Sequence, residues 1–160
     1  MSSNYATHPS QLNNIDSLKN LIINDENFDI RNLKFLKKAK NLEELFIYKN
    51  TLKLSDLSPL LGVKSLRYVS CMLNEVDEIS ELFDQIEGLD IDDHSPDTRD
   101  NVKDQVERIL ARFPRLKQLS YKNMDLEGIE SYVGREEMLD LTRELESKYP
   151  GVTFKILRPA

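Results

Sequence analysis

The side chains best equipped for chemistry in this chain fall between residues 88 and 100. The run Gly88-Leu89-Asp90-Ile91-Asp92-Asp93-His94, with Asp97 and Asp100 behind it, gathers five carboxylates and an imidazole into thirteen residues. Clustered carboxylates can hold magnesium or calcium, so one reading is a metal-dependent enzyme centred on Asp90. The other starts from the alternation of Leu89 and Ile91 with Asp90 and Asp92, which a strand produces when it buries one face and shows the other to solvent. The single thiol, Cys71, sits in the run Tyr68-Val69-Ser70-Cys71-Met72-Leu73. Nucleophilic work would require an exposed thiolate beside a base, whereas the alternation through this run turns Cys71 inward. His8 and His94 are the two histidines, and neither stands at zinc-ligand spacing from Cys71 or from the other.

The Asp-x-Asp element after an apolar strand is similar to the start of phosphotransferases of the haloacid dehalogenase type. The downstream lysine and acidic motif of that group, on a doubly wound framework, have no counterpart here. The five glycines, at 62, 88, 128, 134 and 151, form no phosphate-cradling loop. The expectation is therefore a chain without catalytic residues, metal or cofactor.

Composition narrows the class further. Hydrophobic residues make up 39% and charged residues 31%, a balance that supports a packed core and excludes wholesale disorder. The 160 residues suit one domain. Lys and Arg number 22 against 28 Asp and Glu, a net charge of −6, and no segment is dominated by basic residues. Binding driven by nucleic-acid phosphate or by anionic lipid is disfavoured, and a basic protein partner is favoured. No apolar run is long enough for a membrane span, residues 1–10 lack the blocks of a signal peptide, and a lone cysteine suits a reducing compartment. The expected location is cytoplasmic.

The elements that must position these side chains are set by an internal repeat. The pattern LxxLxLxxNxL is filled by Leu42, Leu45, Ile47, Asn50 and Leu52, and again 24 residues later by Leu66, Val69, Cys71, Asn74 and Val76. A further 24 residues upstream stand Leu18, Leu21, Ile23 and Phe28, with Glu26 in place of the asparagine. Downstream the spacing loosens, but the triplets Ile86, Leu89, Ile91 and Leu116, Leu119, Tyr121 persist, and residues 152–157 alternate Val152, Phe154 and Ile156. Helical spacing marks two late return segments. One carries Val102, Val106, Ile109, Leu110 and Phe113 after a Ser95-Pro96 start; the other carries Met138, Leu141, Leu145 and Tyr149.

Over residues 15–157 these motifs resemble the leucine-rich-repeat family. The resemblance implies an α/β solenoid with a curved parallel sheet of about five or six strands, and helices and loops on its convex face. It further implies that Asn50 and Asn74 bond the backbone where the chain leaves each strand, and that strand spacing grows from 24 to about 30 and more. Residues 1–12, polar and poor in apolar positions, read as a flexible leader or N-terminal cap, and residues 13–160 as the single repeat domain.

Between the inward leucines lie the side chains of the concave face. Ile22, Phe46, Tyr48, Tyr68 and Met72 predict one apolar patch, flanked by Glu44 and by Asp90, Asp92 and Asp93 at its edge. Aromatic residues and Met are enriched at interface hot spots, so these nine residues are the candidate partner-binding set. Coverage of the patch by the leader or by a second copy is the alternative. The expected function is a protein-binding module. Acidic repeat surfaces occlude basic nucleases in the ribonuclease inhibitors of that family, and the absence of a second domain to deliver points the same way. The narrower expectation is therefore a stoichiometric inhibitor, such as an immunity protein neutralising a basic toxin or nuclease. An adaptor that binds without inhibiting is the rival.

Overall fold

The computed structural model describes residues 3–5, 15–94, 101–123 and 135–157. They form an α/β structure around one parallel sheet. Its strands are β1 (Ser3–Tyr5), β2 (Asn20–Ile23), β3 (Glu44–Lys53), β4 (Tyr68–Glu75), β5 (Gly88–Asp93), β6 (Gln118–Asn123) and β7 (Thr153–Leu157). They lie side by side in sequence order. Six strands coincide with the predicted triplets. The seventh, β1, arises inside the polar N-terminal stretch and pairs with β2.

The register explains why the repeat folds. Leu21, Leu45, Val69, Leu89, Leu119 and Phe154 are partners across β2 to β7, and Ile23, Ile47, Cys71, Ile91, Tyr121 and Ile156 form a second row. One unit offers only a few of these side chains and cannot exclude water from them, so stacked neighbours complete the core. Just before each strand a single carbonyl sets the stacking. Lys19 O accepts from Glu43 N (2.8 Å) and Glu44 N (3.1 Å), and Glu43 O, Arg67 O and Glu87 O each accept the matching pair from the next unit.

The first two returns are 3-10 helices, Ile30–Lys38 and Leu54–Gly62. Their apolar residues recur every third position: Ile30, Leu33, Leu36, Ala39, and then Leu54, Leu57, Leu60, Val63. A helix with three residues per turn keeps such a series on one face, whereas an α-helix would rotate it away. Carboxylates close the starts. Asp29 Oδ1 accepts from Arg31 N at 3.0 Å, and Asp56 Oδ2 accepts from Lys53 N at 2.9 Å. Late returns are the expected α-helices, α1 (Asn101–Arg112) and α2 (Arg135–Lys148). Val102, Val106, Ile109, Leu110, Phe113 and Leu145 are buried, while Leu141 and Tyr149 pack partly buried against the same core. The Ser95-Pro96 start and the Met138 side chain lie outside the described residues.

Strand spacing does not grow steadily. β2, β3 and β4 begin at 20, 44 and 68, but β5 begins at 88, only 20 residues on, before β6 at 118 and β7 at 153. The short step is the return of residues 76–87, which has no helix. It is irregular, with a turn at residues 84–85, and buries Val76, Ile79, Phe83 and Ile86. Phe83 stacks on Phe113 with ring centroids 4.7 Å apart, and Gln85 Nε2 donates to Leu60 O at 2.9 Å.

After the second core position the repeat alignment also breaks. Leu52 pairs with Leu73, not with Val76, because β3 carries a bulge between Ile47 and Leu52. Asn74 is exposed at the end of β4, so it closes no buried turn; the Asn50 side chain lies outside the described residues. The polar residue buried at the end of a strand is instead Asp93. It continues the row of Leu73, is 0% exposed, and its Oδ2 accepts from the Tyr121 hydroxyl at 2.5 Å. We expect Asn74→Ala to leave the denaturation midpoint within about 0.5 kcal/mol of the parent. Tyr121→Phe, which removes a donor from a buried carboxylate, should cost about 1–3 kcal/mol in the same titration.

Candidate functional site

Helices cover both faces of most all-parallel sheets. Here the return-segment side chains Leu33, Leu36, Leu54, Leu57, Leu60, Phe83, Val106, Ile109 and Leu145 all join one core with the inward strand positions. The described returns therefore lie on one side, and the described residues leave the opposite face of the sheet open. Residues 1–12, a possible cover, are described only at Ser3–Tyr5, where they add an edge strand.

On the open face, two rows run across the strands. Ile22, Phe46, Ser70, Asp90, Ser120 and Lys155 form one, and Asn20, Glu44, Tyr68, Gly88, Gln118 and Thr153 the other. Met72, Asp92 and Lys122 begin a third. Ile22, Phe46, Tyr68 and Met72 are half-buried and Tyr48 is 41% exposed. The Phe46 and Tyr68 rings sit 5.7 Å apart, tilted by 51°. Eight of the nine candidate residues thus share this face: Ile22, Glu44, Phe46, Tyr48, Tyr68, Met72, Asp90 and Asp92.

Asp93 does not. One residue beyond Asp92, it points into the core by the period-two rule, and its burial against Tyr121 removes it from any surface. Glu87, just ahead of β5, is paired with Lys117 at 3.0 Å, and that contact holds its carboxyl below the usual range. The acidic stripe therefore reduces to Asp90 and Asp92, with Glu44 two strands away. On its far side stand Lys122, the register partner of Asp92, and Lys155 on β7. Across the sheet the face reads aromatic, acidic, then basic.

Asp90 is half-buried, and its pKa is raised, first by burial and then by the neighbouring Asp92; Lys155 and a hydrogen bond from Tyr68 oppose the shift. The Tyr68 phenol is raised by burial, by Asp90 and by Glu44. Gly88 sets this contact. A Cβ at 88 would lie 2.8 Å from Tyr68 Cδ2, so only glycine leaves room for the ring to lie across β5. A glycine inside a strand pattern signals close approach of another group, which is the cue by which Gly88 could have been singled out.

Among the described residues no three His, Cys, Asp or Glu side chains gather closely enough to hold a metal ion. Asp97 and Asp100 lie outside the described residues. No described helix is long and apolar enough to cross a membrane. The chain matches no family model, no curated protein and no solved structure. A groove of about 580 Å³, lined by Asp77, Ile79, Arg108 and Arg112, flanks the helix-free return and includes none of the open-face residues.

Cys71 is buried in the second core row, and burial, reinforced by Asp90 and Asp92, pushes its thiol from 9.0 up to about 12. Thiol reagents should therefore label it slowly until the protein is denatured. Because the folded value lies above the unfolded one, its contribution to stability is complete below pH 9.0 and is lost as pH rises toward about 12. We expect Cys71→Ala to be less stable than the parent at pH 7, with the gap narrowing above pH 9.0, by denaturation at each pH.

Proposed function

We propose that this chain is a leucine-rich-repeat solenoid that binds another protein through the open, concave face of its sheet. The partner offers a basic surface, and binding inhibits it stoichiometrically, as an immunity protein occludes a toxin or nuclease domain. The observation that carries the reading is the cluster of Ile22, Phe46, Tyr48, Tyr68 and Met72 on the side of the sheet that no described return covers. An apolar cluster held in water lowers solubility, and aromatic residues and Met are the side chains that dominate interface energetics.

Charge and strain support the same reading. Asp90 and Asp92 adjoin the cluster, so a basic partner is steered toward it before the apolar contact closes. The raised pKa of Asp90 means that its ionised form is disfavoured by folding. The stability linked to its protonated form is present below the ordinary value of 3.8 and lost as pH rises through the folded one, so at neutral pH the carboxylate is a cost to the fold. A residue that opposes stability on an exposed face fits selection for binding. Asp90→Asn should raise the thermal midpoint at pH 7 while weakening the partner.

The test begins with purification of the tagged full chain from its native cell and measurement of binding to the recovered partner. Phe46→Ala and Tyr68→Ala should each weaken it by about 2 kcal/mol or more, mainly through faster dissociation. Joint Asp90→Asn and Asp92→Asn should instead slow association and flatten its salt dependence. Partner activity should return in proportion to lost affinity. Binding indifferent to all four substitutions would move the site off this face; binding without loss of partner activity would make the chain an adaptor.

A further inference from the structure

The aromatic and acidic groups of the open face meet at one corner, and their arrangement specifies what fits there. Phe46 on β3 and Tyr68 on β4 present two ring faces tilted by 51°. Glu44, the register partner of Tyr68, flanks this pair on one side, and Asp90, beyond Ser70 in the row of Phe46, flanks it on the other. The positions beside the rings, Ser70 paired with Phe46 and Gly88 paired with Tyr68, carry the smallest side chains of the region. Gly88 lets the Tyr68 ring lie toward Asp90.

Within the described residues the charge of this corner is only partly balanced. The groups that act electrostatically on the Tyr68 phenol are Asp90, Glu44 and Tyr48, with no cation among them. Lys155, which acts on Asp90, stands two strands away, roughly 10 Å by strand spacing. Lys49 is turned aside to donate to Glu26 O at 2.6 Å, and Arg67 donates to Lys64 O at 2.7 Å. Aromatic faces attract cations through the ring quadrupole. A guanidinium suits this corner better than an ammonium, because it is planar, weakly hydrated and able to stack on a ring while its edge bonds a carboxylate. A second copy of this chain is a poor occupant of this corner, since a two-fold pairing centred there would bring the Glu44 and Asp90 carboxylates of the two copies together.

We propose that the corner formed by Phe46, Tyr68, Glu44 and Asp90 receives the guanidinium of an arginine side chain carried by the partner, an inference that rests on the open-face reading above. The arginine stacks against the rings and directs its N–H groups to the flanking carboxylates. It thereby replaces the water around the aromatic cluster and offsets part of the negative charge beside it in one contact.

The probe is N-acetyl-arginine amide, titrated into the isotope-labelled full chain and followed by amide chemical shifts. The neutral citrulline analogue and N-acetyl-lysine amide serve as comparisons. Saturable shifts in the millimolar range are expected around Phe46, Tyr68 and Asp90. Citrulline should bind at least about tenfold more weakly, because it keeps the shape and loses the charge. Asp90→Asn and Phe46→Leu should each weaken the arginine probe by about fivefold or more, with the rest of the spectrum unchanged. Asp90→Asn alters an outward carboxylate and keeps the test valid should Phe46→Leu fold poorly. The proposal is overturned by an absence of saturable shifts, by an equal response to citrulline or to the lysine amide, or by shifts centred elsewhere. An arginine probe that fails while Phe46→Ala still releases the partner overturns this inference and leaves the open-face reading standing. A partner indifferent to Phe46→Ala removes the reading itself.

Discussion

Every strand of this sheet pairs in parallel with the strand before and after it in sequence, and a parallel connection must leave the sheet and return over one of its faces. With the described returns all on one side, the structure has a single core layer between the sheet and its return segments. That arrangement dictates the rest. Inward positions are mostly apolar, because they meet both a neighbouring strand and a return, and outward positions are covered by none of the described returns. The period-two alternation seen from β2 to β6 follows from this asymmetry. So does the bareness of the face on which Phe46 and Tyr68 lie.

Within that constraint the units are free to differ on the return side. A return needs only to bring apolar groups to the core at the pitch of the strands, and three solutions coexist here. The first two units use 3-10 helices with an apolar residue at every third position, the third an irregular segment anchored by Phe83 and Gln85, and the later ones α-helices. The change of solution between β4 and β5 has a visible consequence: where a helix is missing, the groove beside Arg108 and Arg112 remains. The backbone ladder just before each strand is indifferent to these changes and keeps the same bonding pattern from Lys19 to Glu87.

Polar groups mark the two places where the structure departs from simple burial. Asp93 enters the core at a position held by Leu73 in the preceding unit, and is accommodated because Tyr121 replaces an aliphatic residue in the adjacent row and supplies a donor. A buried carboxylate without such a partner would be strongly destabilising. Asp90 is the converse. It stands outward, next to Asp92, in a setting that disfavours its charge. The two carboxylates, three residues apart in sequence, therefore have unrelated roles: one belongs to the fold and the other to the surface.

Much of this could be read from the chain alone. The strand positions, the inward triplets such as Leu45 with Ile47 and Leu89 with Ile91, the core position of Cys71 and the late helices all follow from periodicity, because burial on one side of a strand or helix imposes a repeat that the residue types record; the parallel pairing is implied by the family resemblance alone. The same logic placed Phe46, Tyr48, Tyr68 and Met72 together, since alternation fixes which side chains share a face. Three features needed the tertiary structure. β1 is too short and polar to stand out, and exists because β2 offers it an edge. The bulge after Ile47 shifts Leu52 into the row of Leu73 and leaves Asn74 exposed, a register decided by pairing between strands and not by the spacing within one. Asp93 and Tyr121 look like a surface acid and an ordinary strand aromatic until the stacking of β5 on β6 brings them together, because a hydrogen bond between residues 28 positions apart depends on the register of two strands and leaves no local pattern in either.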